Sequence, residues 1–184
     1  MMSLREFEKL GKGQPLRRSR SADGRFSLEV PGQIIDEMLE RCGRSFPMET
    51  GGILVGYYSD DSRFAHVTDL VPAPSDSTSN RFSFQRGVRG VQKFLNQMWL
   101  RSRYYLGEWH FHPDGSASPS GTDADQMKSI AYAGSYHCPE PVLLILGGNP
   151  PQRFTIESYV YLRGASDPVV LEPEPVEIGG ESCH

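Results

Sequence analysis

Cysteine is scarce in this chain: Cys42, Cys138 and Cys183 stand far apart and are odd in number. That argues against a disulfide framework and leaves no Cys-x-x-Cys zinc knuckle, so reduced thiols are expected. Long apolar runs are missing too. None approaches the roughly 20 residues of a membrane-crossing helix, and the opening Met-Met-Ser-Leu-Arg-Glu lacks the apolar core of a secretory signal. A cytoplasmic location without a membrane partner is therefore the expectation. An excess of positive charge is lacking as well: the formal net charge is -4, so no basic field draws in nucleic acid. Internal repeats are absent.

What is present suits one domain with two tails. The 184 residues and 38% hydrophobic content are enough for a real core. Residues 1–24 carry Gly-Lys-Gly-Gln-Pro-Leu-Arg-Arg-Ser-Arg-Ser with little apolar periodicity and read as a flexible basic segment; 172–184 carry Glu-Pro-Glu-Pro and Gly-Gly-Glu-Ser-Cys-His and read as a flexible tail. Between them, 25–171, the pattern mixes strands and helices. Pro31 starts an amphipathic helix with Ile34, Ile35, Met38, Leu39 and Cys42 inward, ending at Gly43. Glu49 to Tyr58 is an apolar run suited to a buried strand, and Phe64 to Val71 a second strand closed by Pro72. Ser75 to Asn80 reads as a polar loop. Val88 to Arg103 reads as a helix with Val91, Phe94, Leu95, Met98 and Trp99 inward. A strand starts near Tyr104, a helix runs from about Asp123 through Ala131, and Val142–Leu146 and Phe154–Leu162 are strands. Strands interleaved with helices predict a sheet covered by helices.

The chemistry concentrates in Glu108-Trp-His110-Phe-His112-Pro, followed by Ser120-Gly-Thr-Asp123. Residues two apart on a strand face the same way, so His110 and His112 can aim both imidazoles at one ion while Phe111 packs behind them. Imidazole nitrogen and carboxylate oxygen bind zinc at roughly 2.0–2.2 Å, and a catalytic site keeps three protein ligands with water in the fourth position. His110, His112 and Asp123 would fill that set. A glutamate outside the ligand set would move protons. Glu49, just before Gly51-Gly52 and an apolar strand, is positioned in sequence to project into a cleft.

Each residue also has a plainer reading. Ser120 with Asp123 is a capping-box pattern, compatible with a fixed ligand position. Glu108 shares a face with His110, as a rival ligand, a partner holding an imidazole tautomer, or an ion pair; the latter two are favoured. Arg81, Arg86 and Arg89 could meet an acidic partner, but solvated charges are the better expectation. His66, His137 with Cys138, and Cys183-His184 are too scattered for a second metal site. Gly179-Gly180 reads as tail rather than as a conjugation signal.

In combination, Glu49-Thr-Gly-Gly-Ile-Leu-Val-Gly, His110-x-His112-Pro and Ser120-x-x-Asp123 resemble the JAMM signature of the JAB/MPN metalloprotease family over roughly residues 25 to 165. Tyr105-Leu-Gly-Glu-Trp-His-Phe-His-Pro is similar to the compact prokaryotic branch, which includes deconjugating proteases of antiphage ubiquitin-like systems. The resemblance implies a three-layer α/β/α domain like that of cytidine deaminases, with a central mixed β-sheet. It implies one zinc ion and hydrolysis of the amide bond after the C-terminal glycine of a ubiquitin-like protein, with conjugation-system proteins as further partners. By position, Glu49 becomes the general acid/base, His110, His112 and Asp123 the ligands, and Ser120 the donor to the oxyanion. The groove for an extended tail would be rimmed by Pro74–Arg89 and Asp114–Ser118. The alternatives are a noncatalytic MPN-type scaffold, a small-molecule hydrolase and a RadC-like relative; the deaminase pattern His-x-Glu with Pro-Cys-x-x-Cys is absent.

Overall fold

The structure, a computed structural model, describes residues 15–59, 63–138, 140–150 and 152–175. Strands β1 (Arg17–Ser21) and β2 (Ser27–Val30) form a hairpin that leads into α1 (Gly32–Ser45). Strands β3 (Thr50–Tyr58) and β4 (Phe64–Pro72) form a second hairpin, and β5 (Thr78–Asn80) with β6 (Ser83–Gln85) a small third one. After α2 (Val91–Trp99) come β7 (Tyr104–Pro113), α3 (Gly121–Tyr132) and a 3-10 turn at Gly134–Tyr136. Strands β8 (Val142–Asn149), β9 (Arg153–Val160) and β10 (Val169–Pro173) complete the described fold.

The sheet is mixed. Strands β7 and β8 run parallel, joined by the α3 crossover, and β2 and β4 are also parallel; the other neighbours are antiparallel. The central strands are buried on both faces, which is why β3 and β8 read as unbroken apolar runs rather than alternating ones. Leu54, Trp109, Phe111, Leu144 and Leu146 pack with the inward residues of α1. Ile53, Val55, Leu143 and Ile145 pack with Val91 and Met98 of α2 and Met127 and Ile130 of α3.

An irregularity in β7 decides what faces what. The β3–β7 register slips between Leu54 and Val55, pairing them with Gly107 and Tyr105 and leaving Leu106 as the extra residue. Leu106 joins the α1 side with Trp109 and Phe111, while Tyr105 joins the opposite side. Such a bulge re-aims every side chain beyond it. Here it turns Glu108, His110 and His112 toward α3.

The α/β class and the mixed sheet agree with expectation, but the expected three-layer α/β/α arrangement does not describe the strands. The sheet closes on itself in the order β1-β10-β9-β8-β7-β3-β4-β2, with β1 bonded to β2 and β10. The closing strands are those the pattern hides. Strand β1 lies within the segment read as flexible; its inward residues are serines, Ser19 and Ser21, so no apolar alternation marks it. Strand β10 runs past 171 to Pro173 and buries only Leu171. The loop expected at Ser75–Asn80 holds β5. The helix expected over Val88–Arg103 is shorter, and Trp99 is 59% exposed rather than inward, its ring edge-on to Tyr104. The Gly179-Gly180 and Cys183-His184 readings lie outside the described residues. Among the described residues, no helix is long and apolar enough to cross a membrane.

Candidate functional site

Three of the singled-out side chains converge. His110 and Asp123 are buried and His112 partly so, and one ligand atom from each lies within 4.8 Å of the others. Strand alternation brings the two imidazoles to one face, as the spacing predicts. His110 Nδ1 lies 2.5 Å from Asp123 Oδ1, and His112 Nε2 lies 3.3 Å from Asp123 Oδ2. The carboxylate thus sits between the two rings.

Helix α3 holds that carboxylate. Ser120 caps the helix by accepting from the Asp123 backbone N–H at 3.2 Å, and Asp123 Oδ2 accepts from the Ser120 backbone N–H at 2.8 Å. This is the reciprocal box the sequence suggested. The Ser120 hydroxyl also donates to Asp123 Oδ2 at 2.6 Å. The cap and the proposed ligand are therefore one unit.

The loop after β7 fixes the second ring. His112 Nδ1 meets the Ser116 carbonyl at 3.1 Å. As a donor there, Nδ1 leaves the Nε2 lone pair facing Asp123. The loop can descend this far because position 147 is glycine: a Cβ there would meet Ala117 N and Ser116 C at 2.5 Å. Gly51 plays the matching part on β3, where it pairs with His110; a Cβ would lie 2.4 Å from the Trp109 carbonyl and 3.0 Å from His110 Cδ2.

Glu49 is brought to the same end of the sheet. Thr50 pairs with Phe111 and Gly51 with His110, so one further step along the strands sets Glu49 across from His112. Its backbone is pinned to the β5–β6 hairpin, donating to the Asn80 carbonyl at 2.9 Å and accepting from the Ser79 hydroxyl. The carboxyl is half-buried, and burial pushes its pKa up, opposed by the charges of His112 and His110 and assisted by that of Asp123. The two expected rims touch through an exposed pair, Arg81 with Asp114 at 3.4 Å.

The electrostatics are those of a carboxylate clasped by two bases. Burial works against a charged His110, yet its bond to Asp123 and the carboxylate of Glu108, 3.7 Å away, raise its pKa to about 9. His112 is raised too, against burial, by Asp123 and by the charge of Glu49. Asp123, despite burial, is held well below the usual carboxylate range by the two imidazoles and Ser120. Two imidazoles and a carboxylate are a donor set for zinc and its first-row neighbours. The cluster fits a divalent ion on its own geometry: the three donor atoms lie within 4.8 Å of one another, and the buried His110 ring has an Nε2 with no hydrogen-bond partner.

Arg86 overturns its expectation. It is no solvated charge: its side chain is 5% exposed, and it pairs with the fully buried Glu108 at 2.8 Å. Glu108 accepts also from Gln126 at 2.7 Å and Tyr105 at 3.2 Å. The spacing gives no sign of this pairing, because no hairpin is expected from the sequence before Arg86 and its first strand falls in the loop expected at Ser75–Asn80. Arg89 lies on the surface, its backbone N–H bonded to Asp76. His66 pairs with Glu29 and His137 sits by Trp99; neither reaches the cluster. Cys42 and Cys138 are free and buried.

His110, His112 and Asp123 are thus gathered, with Glu49 on the neighbouring strand, at one end of a closed mixed sheet. Residues 31–160 match the family described as prokaryotic homologs of the JAB domain, and the chain belongs to it. Among curated proteins, it is 43% identical over 139 residues to a protein of Enterobacter hormaechei named CD-NTase/cGAS isopeptidase, covering 76% of this chain and 77% of that one. It is 30% identical over 125 residues to a probable metalloprotease of Sinorhizobium fredii, covering 66% and 76%. A solution structure of a protein from Desulfitobacterium hafniense shares the fold, with TM-score 0.53 and 22% identity over 76% of this chain and 84% of that one.

Proposed function

We propose that the chain is a zinc-dependent isopeptidase that hydrolyses the amide bond after the C-terminal glycine of a ubiquitin-like protein, releasing it from a target or maturing its precursor. The observation that carries the reading is the convergence of His110, His112 and Asp123 beside a half-buried Glu49. The name CD-NTase/cGAS isopeptidase on the Enterobacter relative supports a CD-NTase as the modified target, and an antiphage conjugation system is the setting we propose.

His110, His112 and Asp123 would hold the zinc ion. Bound there, zinc would polarise the scissile carbonyl and acidify the attacking water. Glu49 then takes the proton that the water loses and delivers it to the leaving amine, so one carboxylate serves both halves of the reaction. Its raised pKa suits this double duty, because a base that must give the proton back cannot hold it too weakly. Ser120 is exposed, and by turning its hydroxyl from Asp123 toward the substrate it donates to the developing oxyanion. The Asp114–Ser118 loop and the β5–β6 hairpin flank the site and form the walls for an extended tail of small residues.

The test is metal analysis joined to single-turnover cleavage of a ubiquitin-like fusion with a Gly-Gly-amide junction. Glu49→Ala should retain zinc and lose about 10²–10⁴-fold in rate, the usual worth of a positioned acid/base. Normal cleavage by that variant would remove Glu49 from the mechanism, and wild type that cleaves equally well after full metal stripping would remove zinc.

A further inference from the structure

Behind the site lies a buried polar cluster that no catalytic role accounts for. Glu108 is fully buried on β7, two residues before His110. Its Oε1 accepts one N–H bond from Arg86 Nε at 2.8 Å, with the Arg86 Nη2 charge also 2.8 Å away, and one from the Tyr105 hydroxyl at 3.2 Å. Its Oε2 accepts from Gln126 of α3 at 2.7 Å. Arg86 completes its own set on the Tyr136 hydroxyl at 3.0 Å and the Gly87 carbonyl at 2.9 Å. A buried ion pair is costly, and well-packed apolar residues often replace one without loss of stability. A role beyond stability is therefore worth seeking.

The carboxylate's remaining capacity shows where that role lies. Each carboxylate oxygen accepts two hydrogen bonds, and Oε2 uses one of them. The other side of Oε2 faces His110 Nε2, 3.7 Å away, and that nitrogen is buried and has no hydrogen-bond partner. A lone pair on Nε2 would be repelled by that carboxylate, whereas a proton there is attracted to it across 3.7 Å. The opposite nitrogen, Nδ1, is the one that faces Asp123.

We propose that Glu108 is a positioning residue for His110, and that Arg86, delivered by the β5–β6 hairpin, is what holds it to the task. Glu108 keeps the proton of His110 on Nε2 and so presents the Nδ1 lone pair to the ion; this rests on His110 being a zinc ligand, as proposed above. Arg86 fixes the carboxylate from the far side. Because Ser79 and Asn80 of the same hairpin hold the Glu49 backbone, one small element sets both the proton shuttle and the ring opposite it. Displacing the hairpin loosens both at once.

The experiment uses the full chain, with zinc affinity by chelator competition and imidazole nitrogen NMR, the latter on zinc-loaded protein and on metal-free protein above about pH 9, where His110 carries a single proton. The double variant Arg86→Met/Glu108→Leu removes both buried charges together, which avoids stranding either one. It should fold, bind zinc about 10–100-fold more weakly, the usual cost of losing such a partner, and show Nε2 of His110 no longer the uniquely protonated nitrogen. Glu108→Gln, which keeps an acceptor oxygen, should recover most of the tautomer preference. Wild-type affinity and an unchanged His110 spectrum in a folded double variant would overturn the proposal and make the pair a purely structural device. Wild type that fails to bind zinc would instead sink the parent reading, while the metal-free spectrum would still report on Glu108.

Discussion

The two faces of β7 are built from the same ten residues and obey different rules. On one, Leu106, Trp109 and Phe111 join the apolar cluster that covers α1. On the other, Glu108, His110 and His112 meet Asp123, Arg86 and Gln126 through specific donors and acceptors. The apolar face is held by area and volume, so its cost of disruption scales with the atoms removed. The polar face is held by pairing, so removing one member strands another in a water-poor site. One strand thus serves as both the anchor of the core and the mount of the chemistry.

The sharpest way to break the comparison is Asp123→Ala against Trp109→Ala. The first removes the carboxylate between the two rings; zinc binding and turnover should vanish in a protein that still folds, read by metal content and cleavage rate. The second leaves the polar face of β7 in place and opens a hole, costing about 3–5 kcal/mol of stability, while the folded fraction still binds zinc. Denaturant unfolding and metal content together check it. Zinc retained by Asp123→Ala, or lost by folded Trp109→Ala, would erase the distinction between the faces.

Acidity sharpens it further. In metal-free protein, His110 has its pKa raised to about 9, so the stability it supplies is whole below its ordinary value of 6.5 and drains away as the pH climbs through about 9. Asp123 has its pKa lowered, so its share is present above the ordinary carboxylate value and is lost on strong acidification. The melting temperature of chelator-treated protein should therefore fall on the alkaline side between those two values, and a flat profile there would refute the clasp. In the zinc-loaded enzyme, Glu49 must be ionised to accept a proton, and its pKa is raised by burial. The acid limb of kcat/KM should accordingly lie above the ordinary glutamate value; a limb at or below it would remove Glu49 as its source.

The smallest effect is expected at the seam between the faces and α3. Ser120→Ala deletes the cap and should cost about 1 kcal/mol in stability. Turnover should fall as well, through the lost oxyanion donor and the loosened Asp123. Ser120→Thr keeps the hydroxyl and should recover the stability. Full activity in folded Ser120→Ala would confine this serine to capping.

The cluster was legible because its parts are local. His110 and His112 need only strand alternation, and Ser120 with Asp123 only a helix start, so spacing alone set them facing one way. Glu49 was legible through its company, the glycines at 51 and 52 that permit close approach to Trp109 and His110. Arg86 was not, because nothing in its neighbourhood links it to a carboxylate 22 positions on. Strands β1 and β5 escaped for a similar reason: the inward residues of β1 are serines and all of β5 is exposed, so pairing rather than pattern makes them strands.

By itself, then, the order of amino acids determined the α/β class, the buried central strands and the triad, since each follows from periodicity or from a short spacing. Closure of the sheet, the bulge that turns Glu108 toward α3, and the burial of Arg86 were decided in three dimensions. They depend on backbone hydrogen bonds between distant segments and on the need of a buried charge for its opposite, and neither leaves a mark on the residues next door.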